Sequence, residues 1–431
     1  MQPYALSLCA AARAIRGGEL TSESYTRALL ERIAATEPEI QAWEHIDPES
    51  ALQSARASEV QASPGSIAGV AIGVKDIVAT AMYPTQFGTP IYAGAKAPCD
   101  AECVTRLSRA GGFVLGKTVT TEFAFMQPGK TRNPWRHTHT PGGSSSGSAA
   151  AVAVGQVAAA IGTQTNGSVI RPAAYCGVVG FKPTWDALPF SGVGTFSPTL
   201  DTLGVFARSV EDCSLLASCL ADDGRIAAEP APVERPQLAF LGGFPWTTLT
   251  ASQERALSSA AGGLRAAGAR VTKVVLPDAW REAHLTLRTI MLREGAEHLG
   301  ALQERERSRM SAKLNAALDE GRGIAEAAYR QALAQREHLI AAAVEWLAPF
   351  DALICAPAPG AAPADLTQTG DPACCTLWSL VGFPALSLPI AMSDGLPLGL
   401  QLAAAAGNDD HLLAVARWCE AKLPFAGLLG G

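Results

Sequence analysis

The stretch Gly142-Gly143-Ser144-Ser145-Ser146-Gly147-Ser148 joins a polar, proline-broken segment to the apolar run from Ala149 to Val154. Glycine and serine at this density are typical of flexible linkers, which continue into further polar sequence. Here they lead instead into alanines and valines that favour a helix. We therefore interpret residues 142–148 as a loop that leads into a helix and whose backbone could hold reactive groups.

Two further segments extend this interpretation on either side. Thr165-Asn166-Gly167-Ser168 is closed by Arg171-Pro172, and Lys75 lies within the apolar run Gly69 to Val78. A serine hydroxyl needs a base, and a lysine can be that base when burial lowers its pKa and leaves it neutral. Glycines expose N–H groups that can stabilise an oxyanion. The three segments together predict a hydrolase that uses serine and lysine without histidine.

From Gly142 to Thr184 the sequence resembles the signature of the amidase signature family over its whole span. Asn133-Pro134-Trp135, Asp201-Thr202-Leu203-Gly204 and the segment Gly382 to Gln401 continue the likeness. The resemblance implies an α/β fold in which a single large mixed β-sheet is covered by helices on both sides. It implies one domain over residues 1–431, with a helical N-terminal region of about residues 1–60 packed on it.

The resemblance also assigns roles within the candidate site. Ser168 would be the acylated nucleophile, and Ser144, with a cis peptide bond on its N-terminal side, would relay the proton to the base Lys75. Four main-chain N–H groups would form the oxyanion hole, those of Thr165, Asn166, Gly167 and Ser168. The implied reaction is hydrolysis of the C–N bond of a small amide through an acyl-enzyme, with no cofactor and no metal.

Departures from the common pattern concern the residues around Ser168. The family's usual aspartate is Gln164 here, its usual arginine two residues after the nucleophile is Ile170, and Asn166 replaces a glycine. Arg171 stands one position later, as in the malonamidase-like and 1-carboxybiuret-hydrolase-like branch, where it would bind a substrate carboxylate. A structural ion pair between Arg171 and a nearby acid is the alternative, and the sequence leaves both open.

Two rival functions also stay open. An amidotransferase A-type subunit would work with partner subunits and usually keeps the Asp and Arg pattern that Gln164 and Ile170 break. A non-catalytic binding homologue is disfavoured by the intact Lys75, Ser144 and Ser168. The sequence is also compatible with a homodimer or with a complex that contains a small partner subunit.

Other motifs lead to no site. Gly111 to Thr118 fits the phosphate-binding pattern G-x-x-x-x-G-K-T, but it reads as the end of a helix followed by a buried strand, the reverse of the required order. Gly143 to Gly147 fits the G-x-S-x-G elbow, yet a loop and not a strand precedes it. His137 and His139 have no cysteine or carboxylate cluster nearby, and we expect them in a solvated loop.

The composition limits which class of protein this chain can be. Of the 431 residues 48% are hydrophobic and 17% charged, which is enough for a substantial core, and the net charge of −6 argues against a nucleic-acid surface. Ten scattered cysteines, no basic start at Met1 and no membrane-length apolar run predict a reduced, cytoplasmic protein. Strands are predicted at 69–75, 113–116, 157–163, 238–241, 351–355 and 385–390, and helices at 251–269, at 288–347 and over most of 5–56.

Overall fold

An 11-stranded mixed sheet runs through the protein in the computed structural model, which describes residues 2–59, 65–222, 224–423 and 425. The strands, β1 to β11 in chain order, are Trp43–Ile46, Ala71–Lys75, Phe113–Thr118, Ala159–Gln164, Val179–Lys182, Thr202–Ala207, Gln237–Leu241, Arg270–Val274, Ala352–Cys355, Ala385–Ser393 and Leu396–Ala403. The order across the sheet is β1-β3-β2-β4-β6-β5-β10-β11-β9-β7-β8.

Helices cover this sheet and alternate with its strands along the chain. The α-helices, α1 to α13, are Leu8–Arg16, Ser22–Ile40, Pro48–Glu59, Glu102–Arg109, Ser146–Ala153, Ile170–Cys176, Val210–Leu220, Ala251–Ala266, Ala283–Glu306, Ala312–Gly323, Glu326–Leu347, Thr376–Leu380 and Asp409–Lys422. Short 3-10 turns lie at Pro3–Ala5, Pro90–Tyr92, Glu122–Ala124, Asp278–Trp280 and Arg307–Arg309. The predicted α/β class with one large mixed sheet is confirmed.

Parallel pairing near the middle of the sheet creates the setting for the site. β2 pairs in parallel with both β3 and β4, whereas β4 pairs antiparallel with β6. Because the carboxyl ends of parallel strands meet at the same edge, the residues that end β2 and those that follow β4 lie close together. Every residue of β2 and β4 is buried, as expected for strands covered on both faces.

Helix α5 packs against this part of the sheet because its residues are small. All eight are buried, and five of them are alanine or glycine. A side chain at Gly147 would bring its Cβ to 2.2 Å from the carbonyl oxygen of Ala42 and 2.4 Å from the main-chain nitrogen of Val119. Only glycine permits this approach, which draws the preceding serine loop down to the ends of β2 and β4.

Most predicted elements are present, and one prediction needs correction. All six predicted strands occur, as β2, β3, β4, β7, β9 and β10. Helices cover most of residues 5–56 as predicted, and β1, which was not predicted, separates α2 from α3 and pairs antiparallel with β3. The predicted helical run 288–347 is three helices, α9 to α11. Residues 60–64, at the end of the predicted N-terminal region, lie outside the described residues.

None of the helices in the described ranges combines the length and the apolar character needed to cross a bilayer.

Candidate active site

Lys75 is the last residue of β2 and is fully buried. Its Nζ atom lies 2.7 Å from Ser144 Oγ and 2.7 Å from Thr163 Oγ1. Burial lowers the pKa of Lys75 well below its ordinary value, and the charge of Asp201 only partly opposes that shift. A neutral amine in this position can donate a hydrogen bond to the Thr163 hydroxyl and accept the proton of Ser144.

Ser144 lies in the loop before α5, and the peptide bond between Gly143 and Ser144 is cis, as predicted. The main-chain N–H of Thr121 donates to the Ser144 carbonyl at 3.2 Å. The next residue fastens the loop to the end of β4, since Ser145 Oγ donates to the Thr163 carbonyl at 3.1 Å and accepts from the Thr163 N–H at 3.2 Å. The loop is thereby held where the Ser144 hydroxyl reaches Lys75.

Ser168 lies in the loop that follows β4 and precedes α6. Gln164 holds this loop from its strand end, because its Oε1 atom accepts from the main-chain N–H groups of Val169 at 2.9 Å and Ile170 at 3.0 Å. Ile170 itself is fully buried in the apolar core. The neutral Gln164 and Ile170 therefore form a self-consistent replacement for the acidic and basic residues that the family usually has.

The main-chain N–H groups just before and at Ser168 are free to receive a ligand. In the described chain, no carbonyl or side chain accepts a hydrogen bond from the N–H of Asn166, Gly167 or Ser168. Buried main-chain donors are nearly always paired, so a row of unpaired ones in a pocket is available to a ligand that offers an acceptor.

A small pocket of about 50 Å³ lies over both serines. Its lining combines hydroxyl groups and main chain with apolar side chains, and Arg171 adds a positive charge. The lining residues are Ala124, Phe125, Met126, Ser144, Thr165, Asn166, Gly167, Ser168, Arg171, Phe196, Met291, Thr369 and Pro372. This mixed lining suits a small molecule with a polar end and a short apolar part.

Arg171 is 4% exposed and reaches the pocket from α6. Its Nη2 atom donates to the Gly143 carbonyl at 2.7 Å and to Thr369 Oγ1 at 3.1 Å, while Nε and Nη1 are buried without a partner. Burial lowers the pKa of Arg171. Among the described residues no carboxylate forms an ion pair with it, so the guanidinium keeps unused donors.

Thr163 and Asp201 contribute to the site, although nothing in the sequence assigned them a role. Thr163 bonds to Lys75 through its hydroxyl. Asp201 accepts from Thr165 Oγ1 at 2.6 Å and from the N–H groups of Phe196 at 2.7 Å and Ser197 at 3.0 Å. Burial raises the pKa of Asp201 to about 6, and these hydrogen bonds oppose the rise. Asp201 begins the segment Asp201-Thr202-Leu203-Gly204, which resembles the family, but nothing in that segment indicates that its charge acts on Lys75.

The segment Gly111 to Thr118, whose sequence fits a phosphate-binding loop, belongs to the framework of the fold. Helix α4 precedes it and its lysine, Lys117, lies in β3, in the order that the sequence indicated. Lys117 Nζ is 3.1 Å from Asp76 and donates to Thr85 Oγ1 at 2.7 Å and to the Val78 carbonyl at 2.8 Å. These partners occupy the ammonium, which leaves no donor directed at a phosphate.

His137 and His139 lie in different surroundings. His139 is 9% exposed rather than solvated, and its Nδ1 atom lies 3.0 Å from Thr138 Oγ1. His137 Nδ1 lies 3.7 Å from a Glu39 carboxylate oxygen. Within the described ranges, no group of three His, Cys, Asp or Glu side chains is arranged to hold a metal ion.

Comparisons with known proteins agree with this geometry. The family profile described as Amidase matches residues 24–413. A curated relative, the A-type subunit of glutamyl-tRNA(Gln) amidotransferase from Chloroflexus aggregans, is 33% identical over 95% of both chains. A crystal structure of an amidase superposes with a TM-score of 0.89 at 30% identity, covering 97% of this chain and all of the other. A structure from a vestigial complex linked to the origins of an s-triazine catabolic enzyme gives 0.88 at 26% identity, covering 98% and 100%.

Proposed function

The chain belongs to the amidase signature family, whose members act on C–N bonds, and we propose that it hydrolyses a small carboxylate-bearing amide through an acyl-enzyme on Ser168. The observation that carries the proposal is the 2.7 Å contact between Lys75 Nζ and Ser144 Oγ in a fully buried setting. There desolvation lowers the pKa of Lys75 and favours its neutral form, and the amine already touches the hydroxyl from which it would take a proton.

The residues would act in a fixed sequence. Lys75 takes the Ser144 proton, Ser144 takes the Ser168 proton, and the Ser168 oxygen bonds to the amide carbonyl carbon. The resulting oxyanion accepts from the unpaired N–H groups of the Ser168 loop. Ser144 then protonates the leaving nitrogen as the C–N bond breaks, and Lys75 reprotonates Ser144. Water repeats these steps on the ester and releases the acid.

The unsatisfied donors of Arg171 are the reason to propose a carboxylate on the substrate. Its Nε and Nη1 atoms are buried without acceptors, which is costly for a cationic group unless a ligand supplies them. The alternative, a structural ion pair, lacks an acid among the described residues. A substrate carboxylate in the pocket would satisfy the guanidinium, while the apolar wall of Phe125, Phe196 and Met291 would contact the short chain that joins the acid to the amide.

The second candidate is an amidotransferase A-type subunit, favoured by the 33% identity to such a chain of glutamyl-tRNA(Gln) amidotransferase over nearly the whole length. Against it stand Gln164 and Ile170, which replace the acidic and basic residues that such subunits usually keep. The isolated chain would then need its partner subunits for activity, so turnover by the purified chain alone separates the two candidates.

The test is an ammonia-release assay with purified protein on the monoamides of malonic, succinic and glutaric acids, against the diamide of each acid. We expect the monoamides to be preferred and Ser168→Ala to abolish turnover while the fold is retained. Ammonia release by folded Ser168→Ala at the wild-type rate would exclude the acyl-enzyme. No turnover of any amide by the wild-type chain alone, followed by turnover with amidotransferase partner subunits, would favour the second candidate.

Arg171→Ala tests the substrate class. Loss of a charge-assisted contact in a desolvated site is worth about 2–4 kcal/mol, so the monoamide-to-diamide ratio of kcat/KM should fall by roughly 30- to 1,000-fold. Arg171→Lys should recover only part of the ratio, because an ammonium lacks the planar fork. The matched control is Arg208→Ala, which removes a partly buried arginine that donates to the Val157 and Leu6 carbonyls. It should lower the melting temperature without changing the ratio.

A further inference from the structure

Helix α12 contacts the Ser168 loop from a part of the chain more than 200 residues away. Its Ser379 Oγ atom donates to the main-chain carbonyl of Asn166 at 2.6 Å, and its Thr376 Oγ1 atom lies 3.0 Å from Asn166 Oδ1. Ser379 and Thr376 are 2% and 3% exposed. We propose that these two hydroxyls are positioning residues that aim the N–H of Gly167 at the reacting carbonyl. This inference rests on the proposed amide hydrolysis and adds the source of its oxyanion geometry.

The peptide group between Asn166 and Gly167 transmits this effect. In a planar trans peptide the C=O and the following N–H point in opposite directions. A hydrogen bond that fixes the Asn166 oxygen toward α12 therefore fixes the Gly167 N–H away from α12. Gly167 and Ser168 line the pocket, and the Gly167 N–H has no acceptor in the described chain, so it is available to a group bound there.

Packing explains why the loop stays against α12. A Cβ added to Gly167 would lie 3.1 Å from Pro372 Cβ and 3.3 Å from Cys375 Sγ, so the segment that leads into α12 touches the Gly167 backbone directly. A larger residue at this position would push the loop away from the helix. The contact and the hydrogen bonds together leave the peptide one orientation.

Gln164 determines which way the Ser379 proton points. Its Nε2 atom donates to Ser379 Oγ at 3.0 Å, so the single hydroxyl hydrogen of Ser379 is available for the Asn166 carbonyl. An aspartate, the usual family residue at position 164, would offer only acceptors and would compete for that hydrogen. The exchange to glutamine thus turns Ser379 into a dedicated donor for the nucleophile loop.

Thr376 acts on the other polar group of Asn166, its side chain. Its hydroxyl also lies 3.3 Å from the Pro372 carbonyl, which links the Asn166 carboxamide to the same segment that packs on Gly167. Since most relatives have glycine at position 166, this second link exists only because of the asparagine. The two hydroxyls therefore make separable contributions, one through the main chain and one through the side chain.

A double-mutant cycle separates them. The variants are Ser379→Ala and Thr376→Val, each made with Asn166 and with Asn166→Gly, and assayed on the monoamide with the highest turnover. We expect Ser379→Ala to lower kcat by about 10- to 100-fold in both backgrounds with KM changed less than about twofold. We expect Thr376→Val to lower kcat by about 3- to 10-fold with Asn166 and by less than about twofold with Asn166→Gly.

A second readout does not depend on the amide. Labelling by a fluorophosphonate forms a bond between Ser168 oxygen and phosphorus, releases fluoride and passes the serine proton to the lysine relay. Its rate needs the nucleophile and the oxyanion donors. Mass spectrometry should show the same order of rates as kcat. The matched control is Ser387→Ala, a buried serine in β10 whose hydroxyl has no partner among the described residues, and it should change neither rate.

The outcomes are distinct. Wild-type turnover by Ser168→Ala would overturn the proposed function and this inference with it. Loss of turnover in Ser168→Ala together with unchanged kcat and labelling in folded Ser379→Ala would overturn the inference alone. Equal losses from Thr376→Val in both backgrounds would show that Thr376 acts through general packing rather than through Asn166.

Discussion

Lys75 and Lys117 lie on adjacent parallel strands, are both fully buried, and have opposite chemical settings. Lys117 is level with Val74, one residue before Lys75, so the two side chains point to opposite faces of the sheet. Lys117 has the carboxylate of Asp76 at 3.1 Å, whereas Lys75 has only the hydroxyls of Ser144 and Thr163 at that range. Lys117 is therefore paired with a carboxylate, whereas Lys75 contacts only hydroxyl groups.

The difference shows that burial alone does not make a lysine a base. Burial lowers the pKa of both side chains, and for Lys117 the charge and the hydrogen bond of Asp76 oppose that shift from direct contact. For Lys75 the opposing charge is that of Asp201, whose oxygens are occupied by Thr165 and by two main-chain N–H groups. A carboxylate in direct contact converts a potential base into a structural cation.

Exchanging each lysine for methionine should separate the two roles most clearly. Lys75→Met should lower kcat by at least about 1,000-fold because the proton relay loses its base, with no loss of melting temperature. Lys117→Met should lower the free energy of unfolding by about 3–5 kcal/mol because Asp76 is left buried and unpaired, while the folded fraction keeps its specific activity. Steady-state kinetics and urea denaturation measure both. Equal stability losses in the two variants would contradict the distinction.

The pH dependence of activity should depend on Lys75. The pKa of a neutral base lies below the working pH, so kcat/KM should fall about tenfold per pH unit once the pH drops below the lowered pKa of Lys75. Stability should also decline as the pH falls from 10.5 toward that pKa, since the unfolded chain binds the extra proton. The acid limb should persist in a variant carrying both His137→Gln and His139→Gln. Its disappearance there would assign the base to an imidazole.

The smallest effect is expected when the ion pair is removed as a unit. Asp76→Asn combined with Lys117→Met leaves no buried charge, and the introduced carboxamide still offers an oxygen to the Gln86 N–H that bonds Asp76. The double variant should be only about 1–2 kcal/mol less stable than wild type, and more stable than Lys117→Met alone. Urea midpoints of the three proteins measure this. A double variant as unstable as the single one would mean that Lys117 stabilises the fold through its other hydrogen bonds.

The sequence predicts the strands that form uninterrupted apolar runs and misses those that depend on distant partners. β2, β7 and β9 are found because their residues are apolar and bounded by turns. β5 and β6 become strands by pairing with each other, with β4 and with β10. β8 lies at the edge of the sheet, and its sequence Arg270-Val271-Thr272-Lys273-Val274 lacks the strict alternation of polar and apolar residues that would predict a strand.

For the candidate site, local motifs indicate the reacting groups but not their supports. Lys75 and Ser144 are in contact, and Ser168 lines the same pocket as Ser144, as the resemblance implied. The contacts of Thr163, Asp201 and Ser379 could not be predicted, because serine, threonine and aspartate side chains are usually solvated and nothing local marks these three as buried. Arg171 had two open interpretations, and only its surroundings show that an acidic partner is missing among the described residues.

The bond between Asn166 and Ser379 spans 213 residues, and this has a consequence during biosynthesis. At about 5–20 residues per second, a ribosome makes Ser379 roughly 10–40 s after the nucleophile loop has been translated. Throughout that interval a nascent chain contains the serines and the lysine but lacks the helix that holds their loop. In the proposed amidase, full activity would therefore appear only after the segment that carries α12 has been made and has docked against the loop.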